Sequence, residues 1–588
     1  MSLAILDLSF TKTLDAIYES ATSGNNLYIS GSDDSLVCRS WFCHFFERQL
    51  RVADLADIIR RVDDALASTE RTIELHTDPV YAPSVCKMAS AALRVQQVFE
   101  AAKRKPTQNA LINEVAQQHQ VQFHLPVGMK GCVIGLATAQ APHSIAQARG
   151  PNIINGKYFY DKEFSYLQGL FQMAYMGLLT QLERLASVAV HIIQAVTRIF
   201  GFSLPQLNSV HYFRNNETDA DIYDPVRMPL SLALADAHRF SSFWLGHGTC
   251  LFGVPVQDDA GNGSRVMVMT DPKEGALDKL LYPRMTEVGK PIEQCPPPSV
   301  CLVSHNHMDH FSRKEAEKLR PYDPLMVVPR GDGEYMRSLG LTRVVELNWF
   351  EETTIEIPDL DGKTYRFTVT GAPANHGSGN MDVPTRTSLF NGYVIRSSAL
   401  DGDIYFAGDT ARLDAEHTAV LRETFNIKYS FQPGGPDAVR SLNEDSHQAS
   451  CEGLVMHMHL MVRKAYSRLQ AQLQRNPTFA EVKAACDHFS TVYMHTKTYK
   501  LGNVHFDDTD RSVNNLLQWM NTHDSWDDLP AAENLAPHEI AALSEIAREE
   551  GAICVLEDGS QLQPRQVASL LEQRVRVPKI GELFAGEV

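Results

Sequence analysis

At 588 residues, 44% of them hydrophobic, the chain is long enough for two or three domains with sizeable cores. A formal net charge of −17, with no basic run longer than Lys103-Arg104-Lys105, argues against a nucleic-acid partner, whose phosphate backbone needs a positive track. The 10 cysteines are scattered without a C-x-x-C pair and the first residues lack a secretory pattern, so a reducing, cytoplasmic setting is expected.

Residues 1–235 read as a mainly helical accessory domain. Apolar residues recur at three and four spacing over 52–75 and 90–105, as in amphipathic helices. Pro142, Gly150, Pro151, Asn152 and Asn155 then break the pattern. A long apolar-rich helix is expected over 164–200, carrying Met173, Tyr175 and Met176. Gln181, Glu183, Arg184 and His191 interrupt it, so it does not read as a bilayer span. A core helix is the favoured reading, with peripheral contact at a membrane as the alternative.

Residues 236–525 carry the chemistry. Val266-Met267-Val268-Met269 reads as a strand, and Asp271 after it either supports a metal ligand or merely ends the strand. Ser299-Val300-Cys301-Leu302-Val303, opened by three prolines, is a second buried strand that runs into Ser304-His305-Asn306-His307-Met308-Asp309-His310. His305 and His307 stand two apart and face one side of an extended segment, while Asp309 and His310 follow on a turn that faces a second ion. Neutral imidazole and carboxylate are ligands that zinc prefers. Packed together without a cation, such groups repel or suffer costly desolvation.

Three further strand-like runs deliver single donors. Tyr365-Arg366-Phe367-Thr368-Val369-Thr370 leads to His376, Ile404-Tyr405-Phe406-Ala407 leads to Gly408-Asp409, and Thr491-Val492-Tyr493-Met494 leads to His495. Asp409 is the candidate bridge between two ions, and Gly408 is expected to let the backbone approach the metal. His247, after the apolar Phe243-Trp244-Leu245, is expected to orient a ligand or fix a turn rather than bind metal. His457 and His459 lie two apart on an expected helix and face away from each other, as bystanders. Residues 526–588 form a small C-terminal extension with a helix opening at Pro537, a turn at Asp558-Gly559 and a helix from Pro564, but no nameable chemistry.

The order H-x-H-x-D-H, single His, Gly-Asp, last His resembles the metallo-β-lactamase-fold hydrolases. Within them, Trp244-Leu245-Gly246-His247-Gly248-Thr249, Pro296-Pro297 before Ser304-His305-Asn306-His307, and Pro373-Ala374-Asn375-His376 resemble the branch of N-acyl-phosphatidylethanolamine-hydrolysing phospholipase D and the L-ascorbate-6-phosphate lactonases. The resemblance covers about residues 241–515, roughly half of the chain. It implies a four-layer αββα sandwich holding two zinc ions, one on His305, His307 and His376, the other on Asp309, His310 and His495, with Asp409 between them. It also implies an active-site role for His447, alongside Asp309 and Asp409 as catalytic carboxylates. The interval from His447 to His495 departs from the family by its length and holds His457, His459 and His488 as rivals.

Two divalent ions about 3.5–4 Å apart activate water and clamp the oxygens of an in-line displacement, and a centre left positive suits an anionic substrate. The expected activity is hydrolysis of a phosphodiester, with a phospholipid cleaved in phospholipase D fashion as the favoured substrate. A lactonase on a phosphorylated sugar is the enzymatic alternative, and a non-catalytic interaction protein using the helical region is the other class.

Overall fold

The computed structural model describes residues 26–30, 36–39, 47–49, 133, 137–160 and 238–585, without 277–283, 285, 293–294, 297, 321, 359–362, 436–446, 500–507, 533 and 552–553. The helices expected over 52–75, 90–105 and 164–200 lie outside these residues. Three short strands, Asn26–Ser30, Leu36–Arg39 and Glu47–Gln49, form an antiparallel sheet of their own.

The large sheet has two halves. The first contains β1 (Ser241–Gly246), β2 (Thr249–Asp258), β3 (Gly263–Thr270), β4 (Val300–Leu302), β5 (Leu325–Pro329) and β6 (Val344–Leu347). The second contains β7 (Glu351–Pro358), β8 (Thr364–Pro373), β9 (Asn391–Arg396), β10 (Asp403–Phe406), β11 (Ile427–Pro433), β12 (Ser490–Met494) and the short β13 (Val575–Arg576). A final strand, β14 (Leu583–Ala585), returns to pair with β1. Among the described residues the halves are continuous through the ends of β2 and β8, where Asp258 and Gln257 pair with Tyr365 and Arg366.

Side-chain alternation turns these halves into stacked layers, because successive residues of a strand point to opposite faces. Val266, Val268, Val300 and Leu302 enter one core, while their neighbours Met267, Met269, Cys301 and Val303 enter another. In the second half Tyr393, Ile395, Ile404 and Phe406 join the same core as Val266 and Val268, whereas Val394, Tyr405 and Ala407 enter a third. The shared core therefore lies between two sheets packed face to face. The outer cores are closed by helices: Arg313–Leu319 and Gly333–Ser338 supply Ala316, Leu319 and Met336 on one side, and Ala415–Thr424 and Ser450–His457 supply Leu421, Leu454 and Val455 on the other. Four layers in the order helix, sheet, sheet, helix result, the αββα sandwich expected from the sequence.

Pairing fixes strand direction. β3 runs parallel to β4, antiparallel to β2, and β2 antiparallel to β8; β8 and β10 are both antiparallel to β9, and β10, β11 and β12 are parallel. So β3, β4, β8, β10 and β12 all point the same way. Their carboxyl ends meet at one edge of the sandwich, where open α/β sheets bind ligands.

The helices Pro537–Glu545 and Pro564–Leu571 form as expected from their opening prolines, and Val555 and Gln561 bridge across the Asp558-Gly559 turn. The tail is woven into the sandwich. Leu543, Leu562, Val567 and Leu571 join the outer core of the second sheet, β13 extends that sheet beside β12, and β14 extends the first. Ahead of β1, Thr138–Ala139 and His143–Ser144 pair with β7, and Asn152–Ile154 and Lys157–Phe159 form a hairpin turned by Asn155 and Gly156, both at positive φ.

Leu302 is fully buried in the core shared by both sheets, one strand-length from the candidate site. Leu302→Ala is expected to cost about 2–5 kcal/mol, read as a lower urea midpoint at unchanged slope.

Candidate metal centre

The sequence-predicted donors converge at the shared strand edge. β4 delivers His305 and His307, the turn after them Asp309 and His310, β8 His376, β10 Asp409 and β12 His495. His307 Nδ1 lies 2.8 Å from His305 Nε2 and 3.2 Å from His376 Nε2. Asp409 Oδ2 lies 2.9 Å from His495 Nε2, 3.0 Å from His310 Nε2 and 3.8 Å from His376 Nε2, between the two sets. Asp309 Oδ2 is 3.7 Å from both His310 Nε2 and His495 Nε2. A tetrahedral ion with bonds of about 2.0–2.1 Å spaces its ligand atoms by about 3.3 Å. These spacings scatter around that value, so the donor sets fit such cations. Asp409 Oδ1 and His495 Nδ1 are moreover buried without a hydrogen-bond partner, a cost that native interiors avoid unless something else compensates it.

The rival histidines separate. His447 Nε2 is 3.3 Å from Asp409 Oδ2, and its ring lies 4.9 Å from that of His376. His457 is buried against Thr491, His459 against Glu545, and His488 is exposed. The helix Ser450–His457 continues through a π turn, Met458–Val462, so the two intervening histidines point into the packing of the second sheet and the tail.

A network behind the donors aims them. Asp271 Oδ2 accepts from His310 Nδ1 at 2.7 Å, and Asp271 also accepts from the Ser304 amide at 2.6 Å and the Ser304 hydroxyl at 2.7 Å. Ser304 Oγ in turn lies 2.9 Å from His305 Nδ1. Asp271 thus holds a candidate donor, His310, as well as ending its strand. Between the paired histidines, Asn306 donates to Asp332 and Ser388 and accepts from the Gly379 amide, which ties the His305–His307 loop to the segment 378–388. Gly408 has φ +62°, and a Cβ there would stand 2.6 Å from Ser304 Cβ. The close approach it permits among protein atoms is to Ser304 and the Asn391 carbonyl.

Electrostatics divides the donors. Burial holds His305 well below its usual pKa and His307 down to about 4, leaving both neutral and able to ligate. Burial opposes ionisation of Asp309 and Asp409, yet the imidazoles around them, His310 first with His495 and either His247 or His447, together outweigh it and hold both carboxyls well below the usual range. Burial likewise opposes charge on His495, and the carboxylates of Asp409 and Asp309 together overcome it, raising the imidazole to about 9.

Sequence reasoning placed His247 outside the donor set. Its Nε2 lies 3.1 Å from Asp309 Oδ2, and it forms one donor cluster with Asp309, His310 and His495. The sequence reading, that His247 orients a ligand or fixes a turn, left open which donor its ring faces.

Residues 267–466 match the family model of the beta-lactamase superfamily domain, within the αββα sandwich that carries the donors. The chain is similar to the mitochondrial N-acyl-phosphatidylethanolamine-hydrolyzing phospholipase D of Saccharomyces cerevisiae, at 34% identity over 198 residues, 33% of this chain and 39% of the relative. It is also similar to N-acyl-phosphatidylethanolamine-hydrolyzing phospholipase D 1 of Caenorhabditis elegans, at 23% identity over 265 residues, 43% of this chain and 70% of the relative. The match thus spans about two fifths of the yeast protein's length. Among solved structures, isothiocyanate hydrolase from Delia radicum gut bacteria aligns over 59% of this chain and 98% of its own, with 16% identity and a TM-score of 0.32.

Two outcomes test this geometry. Gly408→Ala is expected to lower stability by about 1–3 kcal/mol through strain and overpacking against Ser304, read as a lower melting temperature of the metal-free protein. Asp332 is buried, and burial raises its carboxyl to about 7. Because the folded pKa exceeds the unfolded one, the ionised group opposes folding: wild-type stability relative to Asp332→Asn is greatest below about pH 4 and is lost as pH rises through about 7. Urea melts of both proteins from pH 5 to 8 read that divergence directly.

Proposed function

We propose that the chain is a dinuclear metal-dependent hydrolase that cleaves a phosphodiester, with N-acyl-phosphatidylethanolamine or a closely similar phospholipid as substrate and phospholipase D regiochemistry. The convergence of His305, His307, His376 and Asp409 on one side, and of Asp309, His310, His495 and Asp409 on the other, carries this reading. The names of the two relatives support the substrate class. In this reading these seven side chains hold the ions, and zinc suits their imidazole and carboxylate donors. Bound there, two divalent cations lower the pKa of water and neutralise an anionic phosphoryl group.

The remaining steps belong to the chain itself. Asp409 keeps the two donor sets in register, since its Oδ2 sits between them. His447, 17% exposed at its side chain, stands at the accessible side of Asp409, where its Nε2 hydrogen-bonds a phosphoryl oxygen or hands a proton to the leaving alkoxide. Asp271 and Ser304 keep His310 and His305 from rotating as substrate enters.

Contact with a lipid surface fits the rim. Of the five large hydrophobics exposed among the described residues, Met308 follows His307, Met381 lies in the segment tied to Asn306, and Ile153 and Ile154 lie in the hairpin whose Tyr158 pairs with Arg386 of that segment. Among the described residues no helix is long and apolar enough to cross a membrane, so the proposed contact is peripheral.

The test is to incubate metal-loaded wild type and Asp409→Asn with N-acyl-phosphatidylethanolamine vesicles and follow products by mass spectrometry. Phosphatidic acid and N-acylethanolamine are expected with wild type and to fall at least a hundredfold with the variant. A metal-replete wild type that leaves the lipid intact overturns the substrate assignment.

A further inference from the structure

His247 occupies a position that ordinary turn chemistry does not explain. It lies in the tight turn between β1 and β2 at φ +53°, a left-handed backbone that glycine or asparagine adopts more readily. An imidazole is held there nonetheless, 2% exposed. The turn is fixed from three sides: the indole of Trp244 donates to the His247 carbonyl at 2.8 Å, the His247 amide donates to Thr498 Oγ1 at 2.7 Å, and the His495 amide donates to the His247 carbonyl at 2.9 Å. The ring is sandwiched in turn, its centroid 3.9 Å from that of His495 and 4.7 Å from that of Tyr499. Held between these neighbours, the imidazole points its Nε2 at Asp309 Oδ2, 3.1 Å away.

Asp309 needs such an anchor. Its side chain is 22% exposed where that of Asp409 is 1% exposed, and its nearest polar contact is His247 Nε2 at 3.1 Å, against 3.7 Å to His310 and His495. A carboxylate with one oxygen toward solvent rotates unless a donor pins it. Gly248 completes the arrangement: a Cβ there would stand 3.1 Å from His310 Nδ1 and 3.2 Å from Asp271 Oδ2, so the turn also leaves room for the pair that aims His310.

We propose that His247 is a positioning residue of the centre, whose Nε2–H donates to Asp309 and fixes which carboxylate oxygen faces the ion held with His310 and His495. The role rests on the metal-centre reading and reaches beyond it, because it lies ahead of the family-matched segment 267–466. It makes the β1–β2 turn a determinant of affinity at one ion and not the other.

The experiment is a zinc titration against a chromophoric chelator, with the melting temperature of each metal-free protein measured alongside. His247→Asn keeps a residue that accepts the left-handed turn but is too short to reach Asp309. His247→Gln restores an N–H at comparable reach, and Gln474 already adopts φ +55° in this chain. Wild type is expected to take up two ions; His247→Asn is expected to lose about 10- to 100-fold in affinity at one of them, with the other site and the metal-free melt unchanged, and His247→Gln to recover most of the loss. Two wild-type affinities in His247→Asn, an equal loss at both sites, or a loss that only follows a lowered metal-free melt overturns the role of His247 alone. A wild type that takes up no zinc overturns the metal centre itself, and this role with it. Phospholipid turnover enters neither readout, so a wrong substrate leaves the result unaffected.

Discussion

Asp409 sets the terms for everything around it. A carboxylate 2% exposed, with four imidazole nitrogens at 2.9 to 3.8 Å from one of its oxygens, is stable only where charge is compensated on every side. The compensation comes from four chain segments that meet the one carrying Asp409, so the sandwich must bring β4, β8, β10 and β12 to one edge with their carboxyl ends aligned. The parallel and antiparallel pairings that give those strands a common direction are therefore as much part of the site as the donors. Positive-φ residues gather at the same edge for the same reason. Gly408, His247, Asp271 and His495 each turn the chain sharply just past or between strands, where a side chain or backbone has to enter a crowded space.

The donor loop is rigid for a reason internal to its sequence. In Ser304-His305-Asn306-His307 the outward-facing residues are not spacers. Ser304 bonds Asp271 and meets His305, and Asn306 bonds Asp332, Ser388 and the Gly379 amide. The alternation that sends two imidazoles to one side sends two hydrogen-bonding side chains to the other. Burying Ser304 and Asn306 with their hydrogen bonds made fixes the loop conformation in a way that an apolar underside would not.

Much of this was legible in the residues. Strand cores such as Val300-Cys301-Leu302 and Ile404-Tyr405-Phe406 announced themselves by apolar, β-branched or aromatic runs, and the donors after them were found because a histidine or aspartate directly past a buried strand has few other uses. His457 and His459 read as bystanders because they fall on a helix, while the role of His447 came from the resemblance, with those two and His488 as rivals. What escaped was set by contacts between distant segments. Whether Asp271 supports His310 depends on the pairing of β3 with β4, and the aim of His247 depends on Trp244, Thr498 and His495 meeting at its backbone. The tail was read as an extension without chemistry. Its helices follow from Pro537 and Pro564, but nothing in a two- or three-residue strand says which sheet it will join.

That last strand has a kinetic meaning. β14 pairs Leu583 with Phe243 and Ala585 with Ser241, and the Gly581 amide bonds the Trp244 carbonyl, so the oldest strand of the first sheet receives its outer partner from the youngest. During synthesis β1 waits with one edge bare while the rest of the domain emerges, and its closure carries the entropy of a very long loop. Trp244, which holds the turn at His247, is in that waiting strand. Synthesis therefore assembles this corner of the centre late: a nascent chain halted before β14 would present an unpaired apolar edge, open to wrong partners, beside a half-built site.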